Sequence, residues 1–246
     1  MSRIIVLLGI ICISIGLLYP TGGVPILAYH QVRDDDDIYS VTAAQFAEQM
    51  EYLSKEGYQS ISLKQLFAFY EGTGELPPKP IVITFDDGYE DNYVTALPIM
   101  EKFQMKSTVF IATNLVGTPE YLSWQQIGEM RRRQTEIGSH TLSHVALGHL
   151  DPDQQRSEAA RSKEVLEEHI GMVNFFAYPY GDFSPITQQI LRETGYSGAC
   201  SGMLGLSSKG TDVYALKRIN IPHPKYGLLE FRLRLLRANL YSKFGM

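Results

Sequence analysis

Short apolar runs and amphipathic stretches take turns along nearly the whole chain, and that alternation limits the folds open to it. Residues 25–29, 81–85, 108–112, 136–139, 175–178, 196–200 and 216–221 are brief, almost continuous apolar runs, the pattern of strands buried on both faces. Between them, helical spacing marks 43–56, 63–70, 92–103, 123–133, 152–169 and 185–193. Thr42 ahead of "AAQFAEQM" and Asp151 ahead of Pro152 are helix-start signals. Strands and helices in such strict turn argue for a parallel sheet flanked by helices, either a distorted barrel or an open doubly wound sheet. Neither GxGxxG nor the P-loop pattern occurs, so the phosphate-binding version of that sheet has no support.

A chain of 246 residues with 44% apolar content suits a single barrel with one sizeable core. A net charge of -5 without a dominant basic face argues against nucleic acid as a partner. The one dense basic cluster, Arg131 to Arg133, closes a helical stretch, where cations suit the helix dipole. Residues 4–19, "IIVLLGIICISIGLLY", carry no charge and follow Arg3, as in a secretory signal or an N-terminal membrane anchor. As a helix they would span about 24 Å, slightly under the ~30 Å hydrocarbon core of a bilayer. No Ala-x-Ala-like cleavage site follows, which favours an uncleaved anchor in 1–20. The domain 24–246 is then expected outside the cytoplasmic membrane, membrane-anchored or secreted. Cys200 is the only cysteine beyond that segment and reads as a buried strand residue.

Parallel barrels carry their chemistry where the strands end. The run "IVITF" ends in Asp86-Asp87-Gly88, "EIGS" in His140 and then His144, "PILAY" in His30, and "FFAY" in Pro179, Tyr180 and Gly181. Two adjacent aspartates repel each other unless a cation lies beside them. Two histidines at i and i+4 face one way on a helical turn and suit a metal, and an aspartate as third ligand leaves coordination positions open, as catalytic sites do. One aspartate can then bind the cation while the other serves as general base to a water of lowered pKa. A rival set, His140, His144 and His149, would leave both aspartates without a role. His169 lies late in a charged helix and reads as exposed.

"TFDDGY", "SHTLSH" and "YPYG", in this order, resemble the first three motifs of the polysaccharide deacetylases, carbohydrate esterase family 4. "PILAYHQV" with "VTAAQFAEQMEYLSKEGYQSISLKQL" resembles one branch of it, the exported poly-N-acetylglucosamine deacetylases of biofilm matrices. The resemblance covers roughly residues 24–223. It implies an α/β fold, a distorted (β/α) barrel of about seven parallel strands. It also implies that Asp86 is the general base, and that Asp87, His140 and His144 bind a divalent metal, most often Zn2+. Tyr180 would offer its backbone N–H to the tetrahedral oxyanion. The reaction implied is hydrolysis of N-acetyl groups on a polysaccharide, with release of acetate.

The family's third motif usually begins with an Arg that steadies the base, and here Ala177 stands in its place. Arg218, in "ALKRINI", is the candidate replacement. The general acid has two candidates: His223 in "IPH", where most of the family has a C-terminal histidine, and His30, matching the biofilm-matrix branch. His30 is favoured because His223 lies between two prolines, on a chain already turning away. An esterase for O-acetyl groups and a membrane-tethered sugar-binding module without turnover are the alternatives. "RDDDD" at 33–37 reads as a solvated loop. Trp124 and Tyr121 could stack on a sugar or pack at a helix start. The basic, amphipathic 227–244 could rest on a membrane surface, though a last helix packed on the barrel is the preferred reading.

Overall fold

The structure, a computed structural model, describes residues 22–244. The predicted signal or anchor, 1–20, lies outside the described residues. Eight strands follow in order: β1 (Ile26–Tyr29), β2 (Gln59–Ser60), β3 (Pro80–Phe85), β4 (Thr108–Ile111), β5 (Glu136–Ser139), β6 (Phe175–Ala177), β7 (Gly198–Leu204) and β8 (Leu216–Asn220). Seven close into a parallel barrel, because β1 pairs with β8 on one side and β3 on the other; β2 is a two-residue appendage to β3. The fold is thus the distorted (β/α) barrel, and the open sheet is set aside. All seven predicted strands are barrel strands. A two-residue strand is too short to show any periodicity, which is why β2 escapes a reading of the sequence.

The helices are α1 (Ala43–Lys55), α2 (Leu63–Tyr70), α3 (Leu97–Lys102), α4 (Trp124–Arg132), α5 (Pro152–Ile170), α6 (Pro185–Glu193) and α7 (Gly227–Phe244). Thr42, Ser62, Ser123, Asp151 and Ser184 each close a reciprocal capping box, so five of these helices start where a side chain satisfies their first free amides. The predicted helix at 92–103 is instead a π-helical turn, Asn92–Ala96, running into α3. Pro98 explains the break: it has no N–H to give the carbonyl four residues back, and its ring crowds that carbonyl.

Alternation along the strands divides the core in two. Leu27, Tyr29, Ile81, Ile83, Phe85, Val109 and Ile111 point out and pack under the helices. Ile26, Val82, Phe110, Phe175, Ala177, Cys200 and Leu216 point in, with Leu63, Leu66 and Phe67 of α2 plugging the lower end. Gly138 belongs to the inner series: a Cβ there would stand 2.4 Å from the Phe110 ring, so only glycine fits. Cys200 is buried, as expected, and burial pushes its thiol up to about 12.

Candidate active site

The inner face of each strand, continued by two residues, leads to the mouth of the barrel. Ile26 and Ala28 lead to His30; Val82 and Thr84 to Asp86; Gly138 to His140; and Leu216 to Arg218 on β8 itself. Period-two geometry therefore aims these four side chains at one cavity of about 330 Å³. Asp87 has the opposite parity and should point away. Its φ of 74° is left-handed, and this turns the carboxylate back into the cavity, with Gly88 also at positive φ to complete the turn. Thr141, His144 and Tyr180 share the left-handed conformation, so four of the seven non-glycine residues with positive φ are at this mouth. Such backbone costs roughly 1–3 kcal/mol per residue and persists only where surrounding structure enforces it.

Asp86 is almost fully buried and is gripped by Arg218 through two parallel bonds, Nη1 to Oδ1 at 2.7 Å and Nη2 to Oδ2 at 2.8 Å. Arg218 is fixed in turn by Nε donating to the Ser201 carbonyl at 3.0 Å and Nη1 to Thr84 Oγ1 at 3.2 Å. Burial by itself would push the Asp86 carboxyl up; the Arg218 charge, then His140, hold it below the usual carboxylate range. Ala177, packed in the inner cluster on β6, brings no charge, and the guanidinium reaches Asp86 from β8 instead.

Asp87 Oδ1 lies 3.3 Å from His140 Nε2 and 2.9 Å from His144 Nε2. It is nevertheless a buried oxygen without a hydrogen-bond donor. Three potential ligand atoms thus lie close together without satisfying one another, as donors to a shared ion would, and Asp87, His140 and His144 are the one group among the described residues able to hold a metal in this way. His140 Nδ1 is 2.7 Å from the Ala177 carbonyl, which assigns the proton to Nδ1 and leaves the Nε2 lone pair open to an ion. Burial raises Asp87 and lowers His140, but their mutual attraction wins on both sides: the carboxyl falls well below its ordinary value, and the imidazole, with Asp86 contributing, rises above its own. The two histidines do not sit on a helical turn as predicted. Residues 140–146 are a loop, and the positive φ of Thr141 and His144 replaces the helical spacing.

His30 lines the cavity with Nε2 4.0 Å from Asp86 Oδ2, and its Nδ1 is buried without a partner. Burial holds its pKa below the ordinary value although Asp86 and Asp87 pull the other way. His223 does not line the cavity. Its Nδ1 is 3.1 Å from the Ser40 carbonyl and its N–H donates to the Ile38 carbonyl, so it braces the loop that carries Tyr39. Tyr180, three-quarters exposed, stands at the rim with its hydroxyl 3.4 Å from His144 Nδ1.

His149 is exposed and outside the ligand set. His169 is exposed, and Trp124 stacks on it at 3.8 Å, away from the cavity, whereas Tyr121 stacks on the cavity-lining Tyr89. The acidic run at 33–37 is a loop folded on its own carboxylates, Asp35 accepting from the Asp37 amide and Asp37 from that of Tyr39. Sequence reasoning missed four residues here. Tyr39 and Tyr89 line the mouth; Asn92 donates to the His30 carbonyl at 2.8 Å, and Asp91 accepts from the Val32 amide at 3.1 Å. A polar pair directly after the "DDGYE" turn was the only sign of it.

Residues 73–199 match the family described as Polysaccharide deacetylase, a span holding Asp86, Asp87, His140, His144 and Tyr180 but not His30 or Arg218. The Bacillus subtilis protein YxkH, whose name places it among the polysaccharide deacetylases, is 32% identical over 198 residues, 80% of this chain and 71% of its own. The poly-beta-1,6-N-acetyl-D-glucosamine N-deacetylase of Staphylococcus epidermidis is 25% identical, covering 87% of this chain and 84% of that enzyme. The Escherichia coli enzyme of the same name is 29% identical, but the chain spans only 34% of its length. Among solved structures, the Streptococcus pyogenes deacetylase PplD in complex with acetate aligns over 89% of this chain and 99% of its own, with a TM-score of 0.80 and 26% identity. IcaB from Ammonifex degensii aligns over 89% and 98%, with a TM-score of 0.78 and 26% identity.

Proposed function

The chain belongs to the polysaccharide deacetylase family, and from this we propose that it hydrolyses N-acetyl groups on a polymer containing N-acetylglucosamine, with a divalent metal, most fittingly Zn2+, held by Asp87, His140 and His144. The carrying observation is the pairing of roles at the mouth: a buried carboxylate locked by Arg218, beside a second carboxylate whose orphaned oxygen faces two imidazole nitrogens. The relatives named as poly-beta-1,6-N-acetyl-D-glucosamine N-deacetylases support that polymer as substrate.

A metal at that site supplies Lewis acidity toward the amide carbonyl and the attacking water. The remaining work falls to the chain. Asp86, ionised because Arg218 stabilises its charge, takes the proton from water, and the two-pronged grip keeps the carboxylate from swinging out of line. Breaking the C–N bond leaves an amine that must gain a proton, and His30, facing the cavity from β1, delivers it. Its depressed pKa makes the imidazolium a stronger acid while shrinking the protonated population at neutral pH. The backbone N–H of Tyr180 is the proposed oxyanion donor, its left-handed φ of 58° setting the direction of that peptide. Water plus amide gives acetate plus amine.

We also place the domain beyond residue 24 outside the cytoplasmic membrane, where such polymers are, with 4–19 as its tether. The test of function is acetate release from poly-N-acetylglucosamine oligomers, peptidoglycan and acetylated xylan in parallel, with and without added zinc. Release from the first, dependent on metal, is expected. Release from xylan alone would make the enzyme an O-acetyl esterase, and undiminished release after chelation would remove the metal from the reading.

A further inference from the structure

Of the twelve large apolar side chains exposed among the described residues, five lie on α7 or immediately before it: Tyr226, Leu229, Leu233, Tyr241 and Phe244. On the helix, Leu229, Leu233, Tyr241 and Phe244 form one stripe, about 22 Å long at 1.5 Å per residue, with Tyr226 in the turn just ahead of it. The opposite side of the helix is apolar too, since Phe231, Leu235 and Ala238 are buried against the barrel. A helix apolar on both sides requires a second covering surface. Beside it runs a groove of about 710 Å³, between Leu229 and Leu233 on one side and Tyr52 and Tyr58 on the other. Gly22 and Gly23 line that groove, and the uncharged stretch 4–19 joins the domain there.

Charge decides what covers the stripe. The chain as a whole is at -5, yet α7 holds four basic residues against one acid. That acid, Glu230, is taken by Arg234 at 2.6 Å. Arg232 and Arg237, both exposed, interleave with the apolar stripe, and Lys225 stands at its start. A two-fold dimer through this face would set it against its own copy, cation against cation. Leucines for the acyl boundary, tyrosines with an apolar body and a polar tip, and arginines for headgroup phosphates are what an interfacial helix presents.

We propose that the outward face of α7, with its adjoining groove, lies on the surface of an anionic lipid bilayer. Residues Pro25 and Pro80, also in the groove, are at the entry ends of β1 and β3, opposite the mouth. Docked by this groove, the domain sets the entry ends of β1 and β3 nearer the lipid than their mouth ends. The tether makes docking intramolecular, so a weak surface contact suffices. The intramolecular docking rests on the tether proposed above and not on the deacetylase chemistry.

The test uses the full chain on vesicles of phosphatidylcholine alone or mixed with phosphatidylglycerol, with Leu233→Trp as reporter in a Trp124→Phe background. Tyr241→Trp is the second reporter should the first fail to fold. Emission shifted to the blue and quenched by brominated acyl chains in the mixed vesicles is expected. Arg232→Gln with Arg237→Gln should lower the docked-to-free ratio about thirtyfold, taking each cation near an anionic surface at about 1 kcal/mol. Turnover on soluble oligomers should stay at the parental level. A reporter that stays unquenched while the chain is vesicle-bound, quenching equal in both lipid mixtures, or concentration-dependent dimerisation that buries the reporter, overturns the proposal.

Discussion

The two ends of this barrel handle a carboxylate withdrawn from water in opposite ways, one buried and one half-buried. At the mouth, Asp86 is met by a full opposite charge, the Arg218 fork, and its pKa falls. At the entry end, Glu136 has no guanidinium fork: the amides of Leu63 and Lys64, which open α2, and the Thr108 hydroxyl at 2.9 Å donate to it, with the Lys64 charge a smaller pull behind them. Burial outweighs those three bonds, and the Glu136 carboxyl is raised. Glu136 joins a helix to a strand, a task that any well-placed acceptor performs. Asp86 is kept charged in a dry place, which is useful only if the charge is used. A buried acid thus reads as structural or reactive by its partner, not by its burial.

The largest expected effect breaks that contrast directly. Asp86→Asn should lower turnover by about 10²–10⁴-fold, since an amide cannot take the proton from water. Metal content, read by elemental analysis, should survive because the proposed ligand atoms belong to Asp87, His140 and His144. Glu136→Gln, the matching change at the other end, should leave turnover within about twofold, because the amide oxygen can still accept from α2. Equal losses in the two variants would erase the distinction.

Arg218→Ala comes next. It leaves Asp86 buried and unpaired, a loss on the order of 3–5 kcal/mol in denaturant unfolding. Arg218→Lys keeps a charge but not the two-pronged geometry, and should restore more stability than turnover. Recovery of both in step would make Arg218 a structural counter-charge only.

Most of this arrangement was legible in the sequence because strand parity is simple. A polar residue two steps beyond an inner-face position must point into the mouth, which is why Asp86, His140 and His30 could be named from their places at strand ends. Arg218 stood beside Lys217 in an otherwise apolar strand, and Ala177 in the usual arginine's place gave the reason to look for it. What escaped depends on backbone that the sequence marks poorly. Nothing about Asp87 or His144 announces a left-handed φ, so the ligand pair looked helical when it is looped. The Asn92 and Asp91 bonds to His30 and Val32 join segments about sixty residues apart, a tertiary fact with no local signature.

The two histidines give a smaller test of the same division. His30→Ala should reduce turnover by about 10²-fold or more, while His223→Ala, removed from the cavity and bonded to the Ser40 carbonyl, should cost less than tenfold through the Tyr39 loop. A reversed ranking, with both variants folded and metal-loaded, would move the acid to the C-terminal histidine.

The smallest effect concerns Asp91, a mouth carboxylate without a guanidinium clamp. Burial pushes it up from 3.8 to about 6, although the Val32 amide, Arg33 and the Asn92 side chain all pull it down, with Asp35 adding a little to the rise. Because the folded value lies above the unfolded one, folding favours the protonated form. The penalty for ionisation is absent below the ordinary value, develops between about pH 4 and pH 6, and is fully present above that. Allowing for its partial exposure, that penalty is about 1–2 kcal/mol at neutral pH. Asn at this position cannot ionise and keeps an oxygen for the Val32 amide. Asp91→Asn should therefore be more stable than the parent at pH 7, similar near pH 4, and flatter between, as read by urea midpoints across that range. Parallel profiles would show that Asp91 is as well compensated as Asp86, and that the clamp is not what separates a tolerated acid from a strained one at this mouth.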